Sequence, residues 1–265
     1  MTSLYHRMEA FDWTLAPLGA SSLSLVVCVS SLYVLFILIH TTSAHCRQLC
    51  LLKDIKVFIP AHNLVLCGAS LGIFVGCLYE VIQRCINEGS IVWMFCEHAS
   101  TKPTGPLFFY SYLYYLSKYY ELLDTFLQLF LGNTPPNYFL HVYHHSLVIV
   151  MCWVWLDSVA SLQFTGLLFN TAVHVVMYYY FYLKSIGINP WWKKAVTTFQ
   201  IIQFGTSLVC VSTTLYITWL RHSDEQGEQC KGLMVVLGQV VFNITLLYGF
   251  IGLLTKSAKV KGKLL

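Results

Sequence analysis

Long apolar runs dominate this chain, and they constrain its fold more than any other feature. Residues 21–40 read SSLSLVVCVSSLYVLFILIH, with no Asp, Glu, Lys or Arg. About twenty such residues, rising 1.5 Å each as a helix, match the roughly 30 Å hydrocarbon layer of a bilayer. Seven segments of this kind are expected, at about 21–40, 57–82, 107–130, 138–156, 158–183, 196–220 and 233–254. Lipid offers the backbone no hydrogen-bond partners, so each segment is expected to satisfy its own as a helix. Charge agrees: 11% of the 265 residues are Asp, Glu, Lys or Arg, against roughly 25% in soluble domains. The expected class is an all-α integral membrane protein. No internal repeat is visible and no linker divides the chain, so residues 1–265 are read as a single membrane domain. The net charge of +4 forms no basic stripe, which argues against nucleic acid as a partner.

The charges sort by side. The first loop holds Arg47, Lys53 and Lys56 against Asp54; the fifth holds Lys184, Lys193 and Lys194 with no acid. The C-terminal tail holds Lys256, Lys259, Lys261 and Lys263. The other side collects Glu9, Asp12, Glu88, Glu97, Asp157, Asp224, Glu225 and Glu228. The positive-inside rule then puts the C-terminus in the cytosol and the N-terminus in the lumen, so the number of spans is odd. A signal peptide over 21–40 is the alternative; the late start and weakly charged flank favour a retained span. Lys261 and Lys263 lie five and three places from the C-terminus. They resemble a dilysine endoplasmic-reticulum retrieval signal, with an ordinary polybasic tail as the alternative. Cys96, Cys230 and Cys85 fall in loops expected on the lumenal side, where disulfides persist. A Cys96–Cys230 bridge is the leading expectation and Cys85 the competitor. Asn243-Ile-Thr245 matches a glycosylation sequon but lies inside the seventh segment, so it is discounted.

Ionisable residues inside such segments are costly and usually functional. SKYYELLDTF, residues 117–126, places Lys118, Glu121, Asp124 and Thr125 within about 120° of one helix face. FLHVYHH, residues 139–145, places His141, His144 and His145 within about 100° of arc. In NTAVHVVMY, residues 170–178, Asn170, His174, Met177 and Tyr178 share a face. In TTFQIIQF, Thr197, Gln200 and Gln203 recur every third residue. His62 and Glu80 are further polar residues of the second segment, without an assigned role. Ion-pair staples and interhelical amide bonds could explain individual groups. A channel would repeat one residue type as a ring, whereas this set mixes nucleophile, acid, base and amide, which suits an enclosed active site.

Histidine clusters raise the question of metal. Membrane di-iron oxidases need about eight histidines, and the candidates here are His141, His144, His145, His174 and at most His62. Glu121 and Asp124 could assist, so a single metal remains the alternative to a metal-free site. Without metal, a neutral imidazole can attack a thioester, while Asn, Gln or Lys stabilises the oxyanion.

These motifs resemble the ELO family of very-long-chain fatty acid elongases, the membrane 3-ketoacyl-CoA synthases. The pattern K-x-x-E-x-x-D-T is met by Lys118, Glu121, Asp124 and Thr125, and H-x-x-H-H by His141, His144 and His145. N-x-x-x-H-x-x-M-Y is met by Asn170, His174, Met177 and Tyr178, and T-x-x-Q-x-x-Q-F by Thr197, Gln200, Gln203 and Phe204. The matched region runs from about 107 to 204. One departure is visible: the third motif often ends in two tyrosines, and Phe181 stands at the last place.

The resemblance implies a fold in which spans two to seven close as a six-helix barrel around a substrate tunnel, with span one outside. It implies a decarboxylative condensation of a long-chain acyl-CoA with malonyl-CoA to 3-ketoacyl-CoA, the first step of the elongation cycle, without a cofactor. The implied route is ping-pong through an acyl-imidazole on His144. His174 assists across the tunnel, and His141 and His145 position the box, with Asp124. Gln200, Gln203 and Asn170 line the site, and Lys184, Lys193 and Lys194 are candidate contacts for CoA phosphates. The implied partners are membrane lipid and the ketoreductase, dehydratase and enoyl reductase of the cycle, in the endoplasmic-reticulum membrane; a homo-oligomer is left open. Two rival classes remain: a desaturase-like oxidase, and a transporter or receptor with the same number of spans.

Overall fold

A computed structural model describes residues 2–45, 53–133, 138–223 and 229–262. Among them the secondary structure is helical: α1 (Thr2–Glu9), α2 (Leu23–Thr42), α3 (Phe58–Glu88), α4 (Pro106–Glu121), α5 (Leu123–Phe130), α6 (Tyr138–Ser158), α7 (Gln163–Ser185), α8 (Lys193–Ser223) and α9 (Leu233–Gly262), with short 3₁₀ turns between. An isolated bridge pairs Asp12 with Thr104. Five of the described stretches are long and apolar enough to cross a membrane: Leu23–Thr42, Asp54–Glu88, Tyr138–Ser158, Lys193–His222 and Leu233–Thr255. The protein is therefore a multi-pass membrane protein.

The other two expected segments differ from the sequence reading. The stretch 107–130 is broken at Leu122, giving α4 and α5. There Leu122 N–H donates to the Tyr119 carbonyl at 3.3 Å and Thr125 N–H to Leu122 at 3.2 Å, i−3 steps that tighten the turn. The stretch 158–183 becomes α7, which starts at Gln163. Tyrosines, together with Lys118, Glu121, Asn170 and His174, make both stretches less apolar than the five.

Local chemistry sets the ends. Gly105, with φ +86°, precedes Pro106 at the first position of α4, where a missing N–H costs nothing. Gly89, with φ +61°, ends α3 in the left-handed conformation.

Helix neighbours run from α3 to α7, α8, α9, α6 and α4, and from α4 back to α3; α2 lies against α6. The N-terminal segment, which the hydropathy reading passes over, is part of the core. Trp13 is buried edge-on to Tyr115, and Phe11 stacks on Tyr112 with centroids 5.3 Å apart. Tyr115 O–H donates to the Ala20 carbonyl at 3.1 Å and Trp153 Nε1–H to Ser21 at 2.9 Å.

At the end where α6 meets α7, a covalent and ionic cap holds the bundle. Cys96 and Cys230 form a disulfide, with Cα atoms 4.7 Å apart, and Cys85 is free. The buried Glu97 accepts two bonds from Arg84, at 2.8 and 2.6 Å, and one from Thr101. Ser161 joins in: its N–H and hydroxyl both donate to the Lys231 carbonyl, and its oxygen accepts from Glu97 N–H.

Candidate active site

The charged residues of α4 and α5, on either side of the break at Leu122, all reach α7: Lys118 at Asn170, Glu121 at His174 and Asp124 at Tyr178. Lys118 and Glu121 turn to α7 and are almost fully buried, each 1% exposed. Lys118 Nζ donates to Glu121 Oε1 at 2.7 Å and to Asn170 Oδ1 at 3.1 Å, and lies 4.1 Å above the Tyr114 ring. Tyr114 O–H also donates to Asn170 Oδ1, at 2.8 Å. His174 Nδ1 is 3.4 Å from Glu121 Oε1. A lysine and a glutamate so far from water need each other: a buried charge without its partner costs several kcal/mol.

Asp124 bridges two helices. Its Oδ1 is 2.7 Å from His62 Nε2 on α3, and its Oδ2 accepts from Tyr178 O–H on α7 at 2.7 Å. His62 thus has a partner that its sequence context did not indicate. Thr125, on the next residue, faces elsewhere: its hydroxyl lies 2.7 Å from the Tyr33 hydroxyl of α2 and 2.9 Å from His141 Nε2. Tyr178 stands edge-on to His174, with centroids 5.4 Å apart.

The three histidines of the box start α6. His141 and His145 have centroids 4.4 Å apart, and His144 and His145 5.2 Å. His144 stacks parallel to Phe242 at 6.2 Å, and its Nδ1 is buried without a hydrogen-bond partner. A narrow interior cavity begins at this ring. A water-sized sphere can move its centre through about 60 Å³ of it. Of His141, His144, His145 and His174, His144 is the one that lines the cavity; Asn170, Gln203 and Tyr114 line it too.

The remaining expected residues scatter. Gln200 donates to Met177 Sδ at 3.4 Å rather than lining the cavity. Phe181, the departure from the motif, is 42% exposed and stands edge-on to Tyr178 with centroids 6.1 Å apart. Lys184, Lys193 and Lys194 are exposed, and Lys184 bonds Asn189. Glu80 lines a second, polar cavity of about 430 Å³ with Tyr5, Glu9, Arg84 and Lys102, away from the histidines. Of the retrieval-signal pair, Lys263 and the Lys261 side chain lie outside the described residues, as do Asp224, Glu225 and Glu228. Among the described residues, no three of His, Cys, Asp and Glu converge as a metal-ligand set.

Sequence reasoning missed Tyr114, Trp155, Ser207, Gln239 and Asn243, all of which line the first cavity. Tyr114 is hidden in a tyrosine-rich run. Gln239 and Asn243, four residues apart on α9 and both 6% exposed, carry the same signal as the glutamines of α8. Asn243 Nδ2–H donates to the Ser207 hydroxyl, so the discounted sequon residue is part of the interior.

The family described as ELO: GNS1/SUR4 matches residues 18–264. Fatty acid elongase A of Dictyostelium discoideum is 35% identical over 186 residues, 68% of this chain and 64% of that protein. Another protein from that organism is 40% identical over 203 residues, 77% of this chain and 64% of its own length. Very long chain fatty acid elongase 5 of Tachysurus fulvidraco is 30% identical over 165 residues, 61% of this chain and 54% of that protein. The chain thus spans less than two thirds of the length of these relatives.

Proposed function

The chain belongs to the ELO (GNS1/SUR4) family, and on that premise we propose that it is a fatty acid elongase acting as a 3-ketoacyl-CoA synthase. It condenses a long-chain acyl-CoA with malonyl-CoA to give 3-ketoacyl-CoA, CO2 and CoA, without metal or cofactor. The observation that carries this reading is the position of His144. It is the box histidine at the cavity wall, and its Nδ1 is committed to no other side chain. A free imidazole nitrogen beside a slender cavity has the reach and chemistry for an acyl thioester.

In the first half-reaction, a nitrogen of neutral His144 attacks the thioester carbonyl. The carbon–sulfur bond breaks and CoA leaves as the thiol, taking the imidazole proton, while the acyl group stays on His144. In the second, malonyl-CoA enters and loses CO2. The carbon–carbon bond that breaks leaves its electron pair as an enolate, whose carbon attacks the acyl carbon; the bond to His144 breaks, and the departing imidazole takes up a proton from water and is neutral again. Asn170 and Gln203, at the cavity wall, stabilise oxyanions. His141, tied to Thr125, and His145, packed between the other two rings, hold His144 in place. His174, fixed by Glu121 and Tyr178, acts from behind the wall and favours the enolate step.

The neighbour order supports a barrel of α3, α7, α8, α9, α6 and α4–α5 around the cavity, with α2 outside and seven crossings in all. The N-terminus is lumenal and the C-terminus cytosolic, in the endoplasmic-reticulum membrane. CoA then meets the end that carries Lys184, Lys193 and Lys194. A 3-ketoacyl product calls for a reductase, a dehydratase and a second reductase as functional partners.

The test is expression in a host lacking its own elongases, with microsomes given acyl-CoA and labelled malonyl-CoA. The expected product is a ketoacyl chain two carbons longer. His144→Ala is expected to abolish it while the protein still accumulates; retained activity sinks the nucleophile assignment. Two irons per chain in the purified protein would instead favour the oxidase.

A further inference from the structure

The cavity that begins at His144 has a floor, and we propose that Trp155 is the residue that sets the length of the acyl chain; this rests on the condensation reading above. Five α6 residues line the cavity: His144, Val148, Met151, Cys152 and Trp155. Their spacing follows one face of the helix. The other walls descend in parallel, from Asn170 on α7 to Leu162 just before it, from Gln203 to Cys210 on α8 and from Leu246 to Gln239 on α9. The four sets end at Trp155, Leu162, Cys210 and Gln239.

At that end the indole lies across the passage. Its Nε1–H donates to Gln239 Oε1 on α9 at 3.1 Å. The opposite edge of the ring rests on Gly166 of α7, so closely that a Cβ there would meet Trp155 Cη2 at 2.8 Å. Its face lies parallel to Tyr114 of α4, with centroids 6.4 Å apart. One side chain of α6 therefore touches α9, α7 and α4. Leu162, at the cavity's edge there, packs with Val211 and Val236 in a buried cluster.

The floor is fixed rather than loose. The turn beneath it holds Val159 at φ +51° and Leu162 at φ +69°, conformations that β-branched and bulky residues adopt only when their surroundings impose them. The surroundings here are the Ser161–Lys231 bonds and the Cys96–Cys230 disulfide beside them. A chain too long for the passage has no give below Trp155.

Length follows from helix geometry. From His144 to Trp155 is eleven residues of α6, about 16 Å at 1.5 Å per residue. An extended alkyl chain advances about 1.3 Å per carbon, from C–C bonds of about 1.5 Å in staggered torsions. The passage therefore takes about 13 carbons beyond the reacting carbonyl, an acyl chain of about 14. One methylene too many in a closed apolar pocket costs about 10-fold or more in kcat/KM.

The experiment gives the purified, full-length protein in lipid vesicles saturated acyl-CoAs of 10 to 22 carbons with malonyl-CoA. The wild type is expected to lose at least 10-fold in kcat/KM between 14 and 18 carbons. Trp155→Ala is expected to regain at least 10-fold with the 18-carbon substrate and little with the 12-carbon one. Met151→Trp, four residues or about 6 Å above the floor, is expected to lower the limit by about four to five carbons and keeps the test available should Trp155→Ala fail to fold. Wild-type condensation with the same length limit in every folded variant overturns the floor alone. Absence of any wild-type condensation overturns the function reading and the floor with it.

Discussion

Removing the charge of Lys118 while keeping Glu121 tests the electrostatics at the centre of this protein. Lys118→Met has nearly the same length and no charge. It leaves the Glu121 carboxylate, 1% exposed, with only Ser117 Oγ at 3.3 Å and His174 Nδ1 at 3.4 Å, and Glu121 Oε2 has no partner even in the wild type. Breaking a buried pair on one side typically costs about 3–5 kcal/mol. For a protein of this size each kcal/mol moves the melting temperature by roughly 2–4 °C, so a drop of about 10 °C is expected. The double variant Lys118→Met, Glu121→Gln removes both charges and is expected to recover most of it, because an uncharged pair of similar volume is close to neutral. The two positions touch, so a coupling of about 2–4 kcal/mol is expected rather than additivity. Thermal melts of detergent-solubilised protein, read by size-exclusion chromatography, measure Lys118→Met, Glu121→Gln alone and the double variant. A single variant that melts within about 2 °C of wild type, or a double variant as unstable as the two singles summed, refutes the reasoning.

Three further expectations test other parts of the structure. Gly232→Ala is expected to destabilise by about 1–3 kcal/mol, since Gly232 has φ +67° and a Cβ would meet the Ala160 Cα at 2.6 Å; an unchanged melt contradicts that packing. Cys230→Ser opens a loop of 134 residues and is expected to cost about 2–5 kcal/mol, with the melt of the variant insensitive to reductant. A reductant effect that persists in Cys230→Ser would contradict the pairing. Thr125→Val is expected to lower turnover more than acyl-CoA affinity, because it frees His141 and Tyr33 together. Full turnover in that variant removes the positioning role of Thr125.

The sequence was most legible where chemistry and lipid conflict. Histidines, carboxylates and amides inside apolar runs stand out because lipid penalises them, and His144, Asn170 and Gln203 meet at one cavity. On α4 and α5 the shared side of Lys118, Glu121 and Asp124 was legible, but the direction of Thr125 was not. A helical wheel assumes an unbroken helix, and the turn at Leu122 sends Lys118 and Glu121 one way and Thr125 another. His62 could not be paired because Asp124 lies 62 residues away, and only the packing of α3 brings them to 2.7 Å. The role of Trp155 was invisible because a tryptophan in an apolar run looks like any other. Its position across three helices makes it a floor. The N-terminal segment was passed over because hydropathy scores spans, not short aromatic stretches such as Phe11 to Trp13 that pack against tyrosines.

The central claim is that His144 carries the acyl group. Intact-protein mass spectrometry after incubation with acyl-CoA alone tests it most directly, followed by peptide mapping of any adduct. The account expects one acyl mass per chain, mapped to His144, absent in His144→Ala and discharged as 3-ketoacyl-CoA when malonyl-CoA is added. An adduct on His141, His145 or His174, or full turnover with no adduct on any histidine, would contradict it.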